Sequence, residues 1–87
     1  MAKVITKFWG NGCPNCKAMT PFIDAVAAEY PEITFKDVNE TQDAKAAEDY
    51  GVTTLPTLVF EKDGEVVGRI MGLKPKSLII KKIQEVF

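Results

Sequence analysis

Phe8-Trp9-Gly10-Asn11-Gly12-Cys13-Pro14-Asn15-Cys16-Lys17 is the stretch that decides the fold of this 87-residue chain. It holds the only two cysteines of the sequence, three positions apart. An apolar strand pattern leads into it and a helical pattern follows, which places Cys13 at the N-terminus of a helix. Unpaired backbone N–H groups and the positive end of the helix dipole favour a thiolate there. Because the thiolate is the nucleophile of disulfide exchange, the sequence predicts thiol–disulfide chemistry.

Length and composition limit the classes of protein to which this chain can belong. The length and a hydrophobic content of 46% predict one domain over residues 1–87, with monomer as the default state. The net charge of −1 gives no reason to expect nucleic acid or an anionic membrane as a partner. No stretch approaches the roughly 20 apolar residues of a membrane span. The first residues enter a strand pattern without the h-region of a secretory signal, so we expect a cytoplasmic location.

In a reducing compartment, two cysteines at this spacing are typically catalytic or metal-binding rather than a structural staple. Two cysteines supply half of a tetrahedral zinc site, and the sequence contains no histidine. A complete thiolate site would need a second subunit, so a metal or iron–sulfur carrier is the less favoured alternative. We expect no metal and no cofactor besides a reversible Cys13–Cys16 disulfide.

The first half of the chain predicts a strand, a helix and a second strand. Apart from Lys7, residues 4–9 are β-branched or aromatic, and glycines end this run. Pro14 suits the first turn of the following helix, Pro21 predicts a kink rather than a stop, and Tyr30-Pro31 ends the helix. Helical spacing predicts the inward residues Met19, Phe22, Ile23, Val26, Ala27 and Tyr30.

The second half predicts a short helix, a β-hairpin and a final helix. The polar residues 39–41 are expected to cap the short helix. Asp63-Gly64 between two strand patterns is a strong hairpin signal, and Gly68 is expected to interrupt the last strand. The final helix begins near Lys76, and its expected inward residues are Leu78, Ile79, Ile83, Val86 and Phe87.

The element order is therefore β-α-β-α-β-β-α, an α/β fold. Strands joined through a helix are parallel with a right-handed crossover, whereas the hairpin adds an antiparallel pair. The sequence predicts a central mixed four-stranded sheet flanked by three helices.

Disulfide exchange needs one exposed thiolate and a second thiol within reach. Cys13 lies at the helix edge and is the better nucleophile. Cys16 lies one turn deeper, so it is the candidate that resolves the mixed disulfide.

The chain resembles the thioredoxin-like superfamily over nearly all of its length. Phe8-Trp9 precedes the active-site loop, Cys13-Pro14-Asn15-Cys16-Lys17 is similar to the redox motif, and Pro21 matches the proline of the active-site helix. Leu55-Pro56-Thr57 resembles the run into the family's cis-proline, and Gly72 matches the glycine after the last strand. The resemblance implies a thioredoxin-like fold and a protein-disulfide oxidoreductase.

The resemblance also implies a substrate groove beside Cys13, with Pro56 in the cis form. Its partners would be disulfide-containing proteins and an electron donor, either a thioredoxin reductase or glutathione. The candidate substrate-contacting residues are Gly12, Pro14, Leu55, Pro56, Thr57, Gly72 and Leu73.

Two departures from the family pattern concern function. Lys7 stands where thioredoxins carry a buried aspartate. It either favours the thiolate electrostatically or packs its stem with the ammonium in water, and Lys7 and Lys17 are the candidates for tuning the thiol pKa. Proline directly after Cys13 resembles glutaredoxins, although Gly72 is followed by Leu73 rather than by a second glycine. A glutathione-dependent, glutaredoxin-type enzyme is therefore the alternative within the class.

Overall fold

The computed structural model describes residues 2–87 and contains, within them, the seven elements in the predicted order. The strands end where glycine or turn residues begin, and the helices start at Pro14, after Asp43 and after Pro75. The elements are β1 (Lys3–Trp9), α1 (Pro14–Glu29), β2 (Thr34–Asn39), α2 (Ala44–Asp49), β3 (Thr57–Lys62), β4 (Glu65–Met71) and α3 (Lys76–Val86).

The four strands form one sheet in the order β2-β1-β3-β4. β1 and β2 are parallel, whereas β1 with β3 and β3 with β4 are antiparallel, which confirms the predicted mixed sheet. The parallel register sets Lys7 beside Asp37, and the antiparallel register sets Phe8 beside Thr57. The end of β1 that leads into the cysteines therefore lies next to the start of β3.

The hairpin between β3 and β4 turns at Asp63 and Gly64. Both residues have positive φ, 54° and 83°, the conformation that two-residue hairpin loops of this type need. The register shifts after Phe60, which pairs with Gly68, whereas Glu61 pairs with Val66. Gly68 was expected to cut the last strand, but β4 continues through it and accommodates the irregularity as a bulge.

The apolar residues form a core on each face of the sheet. α1 and α3 cover one face around Ile5, Met19, Leu58, Phe60 and Ile79, all of which are almost fully buried. α2 covers the other face, where the buried residues are Phe8, Ala47 and Val59. No helix within residues 2–87 combines the length and hydropathy that crossing a membrane requires.

The three helices differ in how closely they follow the local sequence pattern. α1 runs through Pro21 without ending there and stops at Glu29, before Pro31. Leu78 was expected to face inward but is 43% exposed, because adjacent residues of a helix point about 100° apart and Ile79 takes the inward position. The side chain that caps α2 belongs to Asp43, whose Oδ1 accepts from the N–H of Ala46 at 3.2 Å.

Candidate active site

Cys13 and Cys16 are joined by a disulfide across the first turn of α1, with their Cα atoms 5.3 Å apart. Cys13 is the N-cap residue, in an extended conformation, and its Sγ accepts a hydrogen bond of 3.2 Å from the N–H of Cys16. Cys13 is half-buried, whereas Cys16 is only 3% exposed. The two sulfurs therefore differ both in access and in contact with the helix N-terminus.

The residues next to Cys13 explain this local geometry. Gly12 has a φ of +69°, which favours glycine, and an added Cβ would meet nothing within 4 Å. Pro14 is the first residue of α1. The N–H at this position has no partner within a helix, so proline, which lacks an N–H, fits there without cost. Gly12, Pro14 and Asn15 are exposed. The segment around Cys13 is therefore open to a partner on its outer side.

A hydrogen-bonded turn holds the loop before Cys13. The N–H of Asn11 donates to Oγ1 of Thr41 at 2.9 Å, and the side-chain amide of Asn39 donates to Oδ1 of Asn11 at 3.1 Å. The N–H of Glu40 donates to the carbonyl of Trp9 at 2.7 Å. Residues 39–41 were expected to cap a helix; instead they brace the loop. The polar composition of residues 39–41 was the available signal in the sequence, but it does not show that their partner is the loop before Cys13.

The Leu55-Pro56 peptide bond is cis, as the resemblance implies. Because Thr57 pairs with Phe8, this bond lies at the same end of the sheet as the cysteine loop. A Cβ on Gly10 would lie 2.9 Å from Cδ1 of Leu55, so the absence of a side chain at Gly10 permits this close approach. The N–H of Gly72 donates to the carbonyl of Pro56 at 2.7 Å. Three chain segments thus converge beside the disulfide.

The candidate substrate-contacting residues differ in exposure. Leu73 is 37% exposed, and Leu55 and Gly72 are half-buried. Pro56 and Thr57 are buried, and the Thr57 hydroxyl donates to the carbonyl of Thr54. The Thr57 side chain therefore does not form an exposed rim, because its β3 position faces the interior.

Met71 is an exposed neighbour that the sequence did not single out. Its side chain is 59% exposed, and it is the last residue of β4, opposite Thr57. An apolar residue directly before the terminal glycine of a strand was the available signal. Met71 and Leu73 together place two apolar side chains at the end of the sheet that carries the disulfide.

Lys7 lies in the interior beneath the first turn of α1. It is 8% exposed, and its Nζ donates to the carbonyl oxygen of Cys16 at 3.0 Å and to Oγ1 of Thr20 at 2.9 Å. Its ammonium therefore donates to protein oxygens, which the interpretation of a packed stem with the ammonium in water did not anticipate. Lys17, the other tuning candidate, is exposed, and its N–H donates to the carbonyl of Cys13 at 3.3 Å.

A groove of about 520 Å³ opens beside the disulfide, between α1 and the β1–β2 edge of the sheet. Its lining includes Trp9, which is half-buried, both cysteines and Lys7. Within residues 2–87, no group of three or more His, Cys, Asp or Glu side chains is arranged to hold a metal ion.

The architecture and the cysteine geometry match one known family. Its model, described as thioredoxin, matches residues 1–85. This chain belongs to the thioredoxin family. Thioredoxins are thiol–disulfide oxidoreductases that act on disulfide substrates with thioredoxin reductase, and the Cys13–Cys16 disulfide is the redox element here.

Individual thioredoxins are similar to the chain in sequence and structure. A thioredoxin of Chlamydia trachomatis is 40% identical over 82 residues, which cover 94% of this chain and 80% of that protein. The X-ray structure of Fasciola hepatica thioredoxin has a TM-score of 0.91 at 32% identity, covering 99% of this chain and 82% of that one. The structure of oxidised mitochondrial thioredoxin 3 of Saccharomyces cerevisiae has a TM-score of 0.89 at 29% identity. It covers 95% of this chain and 77% of that one.

Proposed function

We propose that the chain is a single-domain, monomeric reductant of protein disulfides in which Cys13 is the nucleophile and Cys16 the resolving thiol. The observation that carries this assignment is the asymmetry of the two sulfurs. Cys13 Sγ accepts the N–H of Cys16 at the start of α1, whereas Cys16 is 3% exposed and reaches no external substrate directly. A hydrogen bond to sulfur at a helix N-terminus favours the thiolate that attacks.

The reaction is a pair of exchanges between sulfurs. The Cys13 thiolate attacks one sulfur of a substrate disulfide, forms a mixed disulfide, and the other substrate sulfur leaves as a thiolate. The Cys16 thiol then loses its proton and attacks Cys13 Sγ, which releases the second substrate thiolate. Two electrons pass to the substrate, the released thiolates take up protons from water, and the Cys13–Cys16 disulfide remains.

An external two-electron donor must restore the dithiol. A thioredoxin reductase is the donor we propose, in the cytoplasm, with no bound cofactor or metal in the chain itself. Membership of the thioredoxin family supports this choice over glutathione. Gly72 is also followed by Leu73, not by the glycine pair that glutaredoxins carry.

We place the substrate at the end of the sheet where residues 10–13, 55–57 and 71–73 converge. Gly12 and Pro14 form the side next to Cys13, and Leu55, Gly72 and Leu73 form the other side. Pro56 and Thr57 are buried and shape this surface from below. An extended substrate segment would bind through backbone hydrogen bonds, as in strand addition.

The assignment of roles is tested with two single-cysteine variants and insulin as the disulfide substrate. Cys16→Ser is expected to accumulate a mixed disulfide through Cys13, visible by mass spectrometry under non-reducing conditions. Cys13→Ser is expected to form little adduct and to lose turnover. Equal adducts in both variants, or full turnover by Cys16→Ser, would contradict the assignment.

The donor is tested by supplying NADPH with either a thioredoxin reductase or glutathione and glutathione reductase. Turnover of insulin with the first system alone supports the proposal. Faster turnover with glutathione, together with a glutathione adduct on Cys13, would make the chain glutaredoxin-like. Visible absorption bands in protein purified without oxygen would instead indicate an iron–sulfur carrier.

A further inference from the structure

Lys7 brings a buried positive charge to the underside of the redox turn. Its position is fixed by the sheet, because β1 pairs with β2 on one side and with β3 on the other. Its Nζ reaches up to α1 and donates to the Cys16 carbonyl and the Thr20 hydroxyl. Both acceptors are neutral, so the hydrogen bonds position the ammonium without cancelling its charge.

A carboxylate lies beside this charge in the sheet, because Asp37 of β2 is the register neighbour of Lys7, but the two side chains do not form an ion pair. The groove contains Asp24 and Lys17 from α1 and Asp37 and Lys36 from β2. Within residues 2–87, the ion pairs of the structure do not include Lys7. On the β3 side its neighbour in the register is Leu58, which is apolar and fully buried.

We infer that Lys7 is a positioning residue that stabilises the thiolate form of the reduced cysteine pair and thereby makes the protein easier to reduce. This inference rests on the proposed function of the Cys13–Cys16 pair. In the disulfide state the sulfurs carry no net charge, so the ammonium gains little from them. Reduction by two electrons creates a thiolate, and charge attraction in a partly desolvated site is stronger than in water. The attraction exists in the reduced state alone and therefore favours that state.

The test compares Lys7→Gln with the wild-type protein and with Lys3→Met. Gln keeps an N–H donor for the Cys16 carbonyl but removes the charge, and Lys3→Met removes one positive charge at the far end of β1. We expect Lys7→Gln to shift the equilibrium with glutathione at pH 7 about tenfold towards the disulfide, or about 30 mV to lower potential. Lys3→Met is expected to match the wild type.

A second readout separates charge from structure. Thiolate formation in the reduced protein is followed by absorbance at 240 nm as pH rises, with no substrate present. Lys7→Gln is expected to form its first thiolate at higher pH than wild type and Lys3→Met. The difference in potential should also shrink at acidic pH, where both thiols are protonated in either protein. A purely structural role of Lys7 would give a difference in potential that does not depend on pH.

The inference is overturned if the 240 nm curve of Lys7→Gln coincides with that of the wild type. It is also overturned if the potential shifts equally at acidic and neutral pH. If Lys7→Gln does not fold, Lys7→Arg is measured instead. Arginine keeps the positive charge, so the 240 nm absorbance curve of Lys7→Arg must coincide with that of the wild type. Because both readouts use the cysteine pair without substrate, a failed mixed-disulfide assay and a failed Lys7 test are distinct results.

Discussion

The backbone N–H of Gly72 donates a hydrogen bond of 2.7 Å to the carbonyl oxygen of Pro56. It joins the residue after β4 to the residue before β3, immediately beyond the last ladder pair, Thr57 with Met71. Gly72 has a φ of +86°, a conformation that other residues rarely adopt. The chain therefore turns sharply there, and Leu73 is left 37% exposed beside the proposed substrate surface.

Leu73→Ser is expected to weaken substrate binding while leaving the fold intact. Full burial of a leucine side chain is worth about 1.5–3 kcal/mol, and a partial contact at the surface would raise KM for insulin about three- to tenfold. Because Leu73 is already 37% exposed in the free protein, its substitution should lower the free energy of unfolding less than substitution of a buried leucine would. The measurement is steady-state reduction of insulin, with KM and kcat determined separately.

Leu78→Ser is the matched control for Leu73→Ser. Leu78 is 43% exposed on α3, outside the converging segments, so its substitution should leave KM unchanged. Equal increases in KM for the two variants would contradict the placement of substrate at Leu73.

Gly10→Ala is expected to destabilise the protein by about 1 kcal/mol through overpacking, because the atoms that the new Cβ would meet are the ends of side chains that can shift. The new Cβ would lie 2.9 Å from Cδ1 of Leu55 and 3.3 Å from Oε2 of Glu40 and from Oγ1 of Thr41. The measurement is the free energy of unfolding of the oxidised protein in urea. Thiol–disulfide turnover should fall as well, because Leu55 adjoins Pro56.

A double-mutant cycle shows whether Leu55 is the obstacle to a side chain at residue 10. Leu55→Ala removes the atom nearest to the new Cβ, so the double variant should be less destabilised than the sum of the single variants. Additive losses would mean that the strain arises elsewhere.

Tyr50→Phe is expected to lower stability in a pH-dependent way. The hydroxyl of Tyr50 donates to Oε1 of Glu61 at 3.0 Å, and this hydrogen bond, burial and the nearby carboxylates of Glu61 and Asp49 raise the pKa of Tyr50 above its usual 10.0. A raised pKa means that the folded state favours the neutral phenol. The stabilisation is complete below pH 10.0 and is lost as pH rises through the higher pKa of the folded state.

The measurement is the difference in unfolding free energy between the wild type and Tyr50→Phe at pH 8 and at pH 11. We expect about 0.5–1 kcal/mol at pH 8, because the phenol is only partly shielded from solvent, and a smaller difference at pH 11. Tyr30→Phe serves as the control for loss of a phenol. A difference that grows with pH would contradict the sign of the pKa shift.

Local signals in the sequence were sufficient for the order of the elements. Asp63-Gly64 predicts its hairpin because the turn requires positive φ at both residues. The Cys13-Pro14 junction predicts the start of α1 for an equally local reason, since proline suits the first turn of a helix. Each of these features is determined by a few neighbouring residues.

Features that depend on distant contacts were not predictable in this way. Leu78, Ile79 and Ile80 are consecutive apolar residues, and only packing against the sheet decides that Ile79 is buried. Buried lysines are rare, so the sequence favoured an ammonium in water at Lys7. Its acceptors lie on α1, nine and thirteen positions away, and become neighbours only when the helix folds over the sheet.

The hairpin at Asp63 and Gly64 lies at the opposite end of β3 from Thr57, and roughly 20 Å of strand separates the two ends. Both turn residues are exposed, and Asp63 contacts Ala2 rather than any part of the cysteine loop. A linker attached at this turn would therefore orient every molecule on an electrode or bead with its disulfide facing the solution. The fold thus supplies a natural point for directed immobilisation.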